Sequence, residues 1–220
     1  MGLITAERIR EAYKKNECRV FIVYGPLGIG KTTYACKVLA ELYGTKDKPN
    51  WEAVKSRIVQ TPRQFVEKCE YMMDNGIRDL SLLWDDAGLA LLALEFQNPW
   101  VRAVIKYLNV MRTNLASLVL TTPLPTWVVK KLRGFPLCIT LKIIRAGSDK
   151  ARPARHRIAK AYRFWVTPDM KKSGVMRVYE DHFSALMPND FYDWYKPYRE
   201  AYAARAIRNL REQLRNLPME

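Results

Sequence analysis

The chain has 220 residues, 49% of them hydrophobic and 27% charged, and a net charge of +15. That length builds one sizeable α/β domain with a small appendage, and the hydrophobic content is ordinary for a globular protein. No uninterrupted apolar run is long enough to span a bilayer, and Met1 to Lys15 is charged throughout with no signal-peptide core, so a cytoplasmic protein without membrane contact is expected.

Leu3, Ile4, Ile9, Ala12 and Tyr13 stand at helical spacing and predict a short amphipathic helix over 3–15. The run Arg19-Val20-Phe21-Ile22-Val23-Tyr24 predicts a strand. Gly25-Pro26-Leu27-Gly28-Ile29-Gly30-Lys31-Thr32 follows and fits G-x-x-x-x-G-K-[ST] at every fixed position; helix-forming residues continue from Thr33 to Leu42. Strand, glycine loop and helix are the context of a phosphate-binding loop. Its glycines let backbone N–H groups point at phosphates, and the helix adds the positive end of its dipole. Lys31 is expected on the β- and γ-phosphates of ATP and Thr32 on Mg²⁺, with Gly25 to Thr33 as the nucleotide cradle. The helix at 3–15 either packs beside the first strand or covers the nucleotide base.

Residues 44–56 are turn-rich and predict a loop with a helical turn. Arg57-Ile58-Val59-Gln60 reads as a short strand ending at Thr61-Pro62, and residues 63–73 as a helix stopped by Asn75-Gly76. Leu80-Ser81-Leu82-Leu83-Trp84-Asp85-Asp86-Ala87-Gly88 is an apolar strand ending in an acidic pair, which is the Walker B arrangement. Asp85 is the expected Mg²⁺ residue. Asp86 stands where many ATPases keep the base that orients the attacking water. Residues 89–96 predict a buried loop or helix, and 100–114 a long helix. Residues 115–122 predict a buried strand at whose end Thr121 or Thr122 contacts the γ-phosphate or the water. A helix over 126–132 follows.

The four cysteines (Cys18, Cys36, Cys69, Cys138) lie far apart, and His156 and His182 lack ligand spacing. Both facts argue against a structural zinc site or a disulfide framework. The positive charge is concentrated. Residues 96–148 contain no Asp or Glu, and residues 96–163 carry fourteen Lys and Arg against Asp149 alone. Such concentration beside a nucleotide site points to a polyanion, with DNA the leading candidate.

Gln60-Thr61-Pro62, Leu83-Trp84-Asp85-Asp86-Ala87-Gly88 and Leu118-Val119-Leu120-Thr121-Thr122-Pro123-Leu124-Pro125, in this order after the phosphate loop, resemble the small AAA+ ATPases of the DnaC, IstB and DnaA group over residues 17–135. The resemblance implies an oligomer in which an arginine reaches the neighbouring subunit's nucleotide; Arg133 and Arg112 are the candidates. Pro123 stands where that family has a sensor Asn, so either Thr122 substitutes or hydrolysis is slow. The C-terminal third departs from that group. Strands are predicted at 137–144, 161–166 and 175–179, and this part looks more like the FtsK, HerA and Zot class. Between the first two lies a basic loop, 145–157, and Arg145, Lys150, Arg152, Arg155, Arg157 and Lys160 are the expected nucleic-acid contacts. Residues 183–202 are aromatic-rich, and 201–216 predict an amphipathic helix with an arginine face.

The expected fold is thus a three-layer P-loop NTPase with a mainly parallel sheet, extended by C-terminal antiparallel strands and a terminal helix. The division expected is an ATPase core over 1–135 and a basic extension over 136–220. The expected function is a Mg²⁺-dependent, oligomeric ATPase that handles DNA, with a partner protein and a plasmid or viral origin (archaeal ones included). The alternatives are a nucleotide-dependent DNA-binding switch and a small-molecule kinase.

Overall fold

The structure is a computed structural model and describes residues 2–92, 97–146, 155–169 and 171–215. The elements in chain order are α1 (Ile4–Lys14), β1 (Arg19–Tyr24), α2 (Lys31–Leu42), α3 (Trp51–Lys55), β2 (Ile58–Val59), α4 (Pro62–Asp74), β3 (Leu82–Trp84), α5 (Ala87–Ala90) and α6 (Pro99–Tyr107). They continue with β4 (Ser117–Thr122), α7 (Lys130–Arg133), β5 (Cys138–Arg145), β6 (His156–Val166), β7 (Ser173–Ser184) and α8 (Asn189–Arg215). The chain divides into two compact units, Met1–Leu186 and Met187–Glu220.

Within the first unit one sheet runs in the order β2-β3-β4-β1-β5-β6-β7. Strands β2, β3, β4, β1 and β5 are mutually parallel, and β6 and β7 continue antiparallel. β4 is buried at all six positions, as a parallel strand covered on both faces must be. Alternation splits β1 between two cores. Val20 and Ile22 join Trp84, Leu118 and Leu120 under α4, α6 and α7, where Phe65 stacks on Trp84 at 4.8 Å between ring centroids. Phe21 and Val23 point the other way, toward the layer formed by α2 and α1. Residues 135 and 136 fall between α7 and β5, and β5 joins the sheet as a parallel neighbour of β1.

Local chemistry accounts for the ends of α4. Thr61 and Gln64 form a reciprocal capping box with Pro62 at the first turn, and Gly76 past the end has φ of +60°. The start of α1 is satisfied from a distance. Ile4 and Thr5 N–H groups donate to the Asp181 carboxylate at 2.7 and 3.2 Å, and the Leu3 N–H donates to Glu41 at 2.9 Å. Tyr34 of α2 also donates its hydroxyl to Asp181, at 2.6 Å. Expected beside the first strand or over the nucleotide base, this helix instead packs on α2 and beside β7.

Several boundaries differ from expectation. The helix expected over 100–114 ends at Tyr107, because the N–H groups of Asn109, Val110 and Thr113 turn to carbonyls three residues back and tighten the chain. The helix expected over 126–132 is a 3₁₀ turn, Pro125–Trp127, followed by α7. β6 starts at His156, inside the expected basic loop, and pairs with β5 as far as Arg145↔Arg157. Its buried Ala159 and Ala161 flank Lys160, a two-residue period that the charge run obscured. Expected residues 93–96, Lys150 and Arg152 lie outside the described residues.

In the second unit, α8 is one helix through Pro197 that begins at Asn189, earlier than the helix expected over 201–216. Aromatics four residues apart pair along it, with Trp194 and Tyr198 stacked at 5.5 Å.

Candidate nucleotide site

The site lies where the parallel strands end. β1 and β4 finish side by side at Tyr24↔Thr122, and Trp84 of β3 pairs with Leu120. The phosphate loop leaves β1 at Gly25, whose added Cβ would meet the Ile143 carbonyl of β5 at 3.0 Å. Gly30, at φ of +102°, packs within 3.3 Å of the Ala185 Cβ by the same measure. A side chain at either position would push the loop off the sheet. Lys31 opens α2 with 7% of its surface exposed, and its Nζ donates to the Gly25 and Pro26 carbonyls at 3.0 and 3.1 Å. The ammonium is therefore drawn back over the loop.

Beside it stands the acidic end of β3. Asp85 is completely buried, and its Oδ1 accepts hydrogen bonds from Thr32 Oγ1 at 2.8 Å and Thr121 Oγ1 at 2.7 Å. The Asp86 N–H donates to Thr121 Oγ1 at 2.8 Å. Thr121 thus joins the acidic pair to β4. The Thr122 hydroxyl instead donates to the Leu124 carbonyl at 3.0 Å and closes the turn after β4. Asp86 sits in the left-handed region at φ of +51° as the chain bends into α5. Gly88 lets α5 lie on the end of β4, since a Cβ there would come 2.5 Å from Thr122 Oγ1. One turn beyond Thr32, the Cys36 thiol is held neutral, first by burial and second by the negative charge of Asp85.

The oxygen donors of Thr32 and Asp85, adjacent at 2.8 Å, suit a hard cation such as Mg²⁺. Among the described residues no group of three or more His, Cys, Asp or Glu could hold a metal by itself.

The expected arginines are scattered. Arg133 ends α7 and donates its Nε to the Val128 carbonyl at 2.9 Å. Arg112 precedes β4, whose first residue pairs with Arg19, so it lies at the end of the strands opposite the phosphate loop. Of the expected nucleic-acid contacts, Arg155 occupies the turn before β6 and Lys160 pairs across the sheet with Lys142. Arg157 is instead brought onto the phosphate loop, where its Nε donates to the Ile29 carbonyl at 3.2 Å and its Nη1 to the His156 carbonyl at 2.9 Å. A cavity of about 420 Å³ opens there, lined by Pro26 to Ile29, by Lys142 to Arg145 and by Arg157. Elsewhere, Arg102 and Lys106 of α6 with Lys130, Lys131 and Arg133 line a cleft of about 1280 Å³. Sequence reasoning did not single out this cleft, although its residues fall inside the acid-free run.

Glycine loop between β1 and α2, buried acid at the end of β3 and a strand, β4, between them define a P-loop NTPase fold. The chain is 31% identical over 121 residues to "Uncharacterized protein ORF286" of Acidianus two-tailed virus, which covers 54% of this chain and 41% of that protein. It is 25% identical over 216 residues to "Uncharacterized protein B-251" of Sulfolobus spindle-shape virus 1, covering 94% of this chain and 84% of that one. Among solved structures, the N-terminal domain of zonular occludens toxin from Neisseria meningitidis matches at 14% identity with a TM-score of 0.40, over 80% of this chain and 97% of that one. No family model matches the chain. No helix among the described residues is long and apolar enough to cross a membrane.

Proposed function

We propose that this protein is a Mg²⁺-dependent ATPase of the additional-strand P-loop class that works as an oligomer on DNA. The observation that carries the reading is the contact of Thr32, which follows Lys31 in the chain, and of Thr121 with the buried Asp85. Lys31 would leave the Gly25 and Pro26 carbonyls for the β- and γ-phosphates. Thr32 and Asp85 would hold Mg²⁺, which neutralises charge on those phosphates when bound. Asp86 would orient the attacking water, its position set by the Thr121 hydrogen bond to its N–H. Arg133 would act in trans on a neighbouring subunit's nucleotide; Arg112, at the far end of the strands, is the less suited of the two. The basic surface supports a DNA partner. Arg155, Lys160, Lys150 and Arg152 remain proposed contacts, and the five cations lining the cleft of α6 and α7 add a second cationic face. The viral origin of both relatives fits an accessory ATPase encoded by a mobile element.

The test is ATP hydrolysis with and without DNA over a range of protein concentrations, beside Lys31→Ala. DNA stimulation with steep concentration dependence supports a shared active site. Flat turnover without DNA response refutes the oligomeric DNA-coupled part. Asp86→Asn with unchanged turnover removes Asp86 from catalysis and leaves a nucleotide-dependent binding switch.

A further inference from the structure

We propose that the cavity between the phosphate loop and the ends of β5 and β6 receives the nucleoside half of the bound nucleotide, with Arg157 as its clamp. This rests on the nucleotide reading above and concerns the other end of the same ligand.

The argument begins with direction. Thr32, Asp85 and Thr121 mark the terminal-phosphate end, and they lie on the β3 and β4 side of the phosphate loop. A nucleotide whose last phosphates sit between Lys31 and Asp85 leads its nucleoside away from β3, toward β5. The cavity is found on that side, and the phosphate loop itself, Pro26 to Ile29, forms one of its walls. Its volume of about 420 Å³ falls in the ordinary range of about 300–1,000 Å³ for small-ligand pockets.

The lining chemistry agrees. Ile144 provides apolar surface for a flat base, while Lys142, Arg145 and Arg157 supply cations. Arg157 is anchored twice, to the carbonyls of Ile29 and His156, so its planar guanidinium is held in place before any ligand arrives. A preorganised guanidinium suits stacking on an aromatic base at small entropic cost. The anchor also ties β6 to the phosphate loop across 128 residues of sequence. On this view Arg145 and Arg157 serve the nucleotide and leave the nucleic-acid set.

The experiment compares ATP with inorganic tripolyphosphate, which has the phosphates and lacks the nucleoside. Equilibrium binding of both is measured for the full chain, for Arg157→Ala and for Ile144→Trp. The second variant fills the cavity without removing the Arg157 anchor. Both variants are expected to weaken ATP about 5- to 30-fold while tripolyphosphate binding stays within about twofold. Equal loss of ATP and tripolyphosphate in Arg157→Ala, with Ile144→Trp silent, would make Arg157 a phosphate or loop residue and overturn the proposal. So would unchanged ATP affinity in both variants. If the unaltered chain binds neither ligand, the nucleotide reading itself falls, an outcome separate from the other two.

Discussion

The two halves of the sheet obey different rules. From β2 to β5 the strands are parallel, and β2, β3, β4 and the middle of β1 are buried on both faces, while β5 is only partly covered. From β6 to β7 the strands are antiparallel and turn one long hairpin toward solvent, with Phe164, Val175 and Met176 between 50% and 66% exposed. The roots of that hairpin are different again. Arg157 grips the phosphate loop, Phe183 and Ala185 lie against Gly30, and Asp181 binds α1 and α2. Position along a strand therefore matters as much as which strand it is: the hairpin is part of the site at its base and a free surface at its end.

That contrast can be broken in graded ways. Lys31→Ala should cost about 100- to 1000-fold in ATP turnover and leave the melting temperature nearly unchanged, read by phosphate release and calorimetry. In the parallel half, Phe65→Ala should cost about 3–5 kcal/mol in urea unfolding, because it empties the stack against Trp84. Gly88→Ala should cost about 1–3 kcal/mol through its clash with Thr122. Adding Thr122→Ala to it should recover part of that loss, and strict additivity in the double-mutant cycle would refute the clash. At the hairpin end, Val175→Thr should stay within about 0.5 kcal/mol, and a larger loss would mean that this surface is covered.

A smaller effect follows from the buried thiols. Burial pushes Cys18 and Cys138 up to about 12 and Cys69 up to about 11, from an ordinary 9.0 that the unfolded chain would keep. The folded state then holds protons that the unfolded state gives up. Their contribution is complete below pH 9 and is lost as pH rises through the 11–12 region. Urea midpoints should fall as pH rises from about 9 toward about 12, and Cys138→Ala should make that fall shallower.

How much could be read in advance depended on how local the cause was. Glycines at fixed spacing after a β-rich run and an acidic pair after another identified the phosphate loop and the end of β3, because each motif is a few residues whose backbone needs are met nearby. Capping at Thr61 was equally local. The end of the helix at Tyr107 and the length of α8 through Pro197 were not: three-residue hydrogen bonds tighten the chain after Tyr107, and α8 carries Pro197 within one helix. Charge misled at β6. The basic residues of 145–157 suggest a loop, with the strand starting at 161, while β6 already begins at His156.

The sequence by itself determined that a phosphate loop precedes a helix, that an apolar strand ends in Asp85 and Asp86, and that one stretch of the chain is strongly basic. The tertiary structure alone decided that Thr121 and not Thr122 faces Asp85, that Gly88 must be small, and that Arg157 meets Ile29. Those outcomes depend on which strands become neighbours and in what register. Register is set by burial summed over the whole sheet, which no short stretch of residues contains.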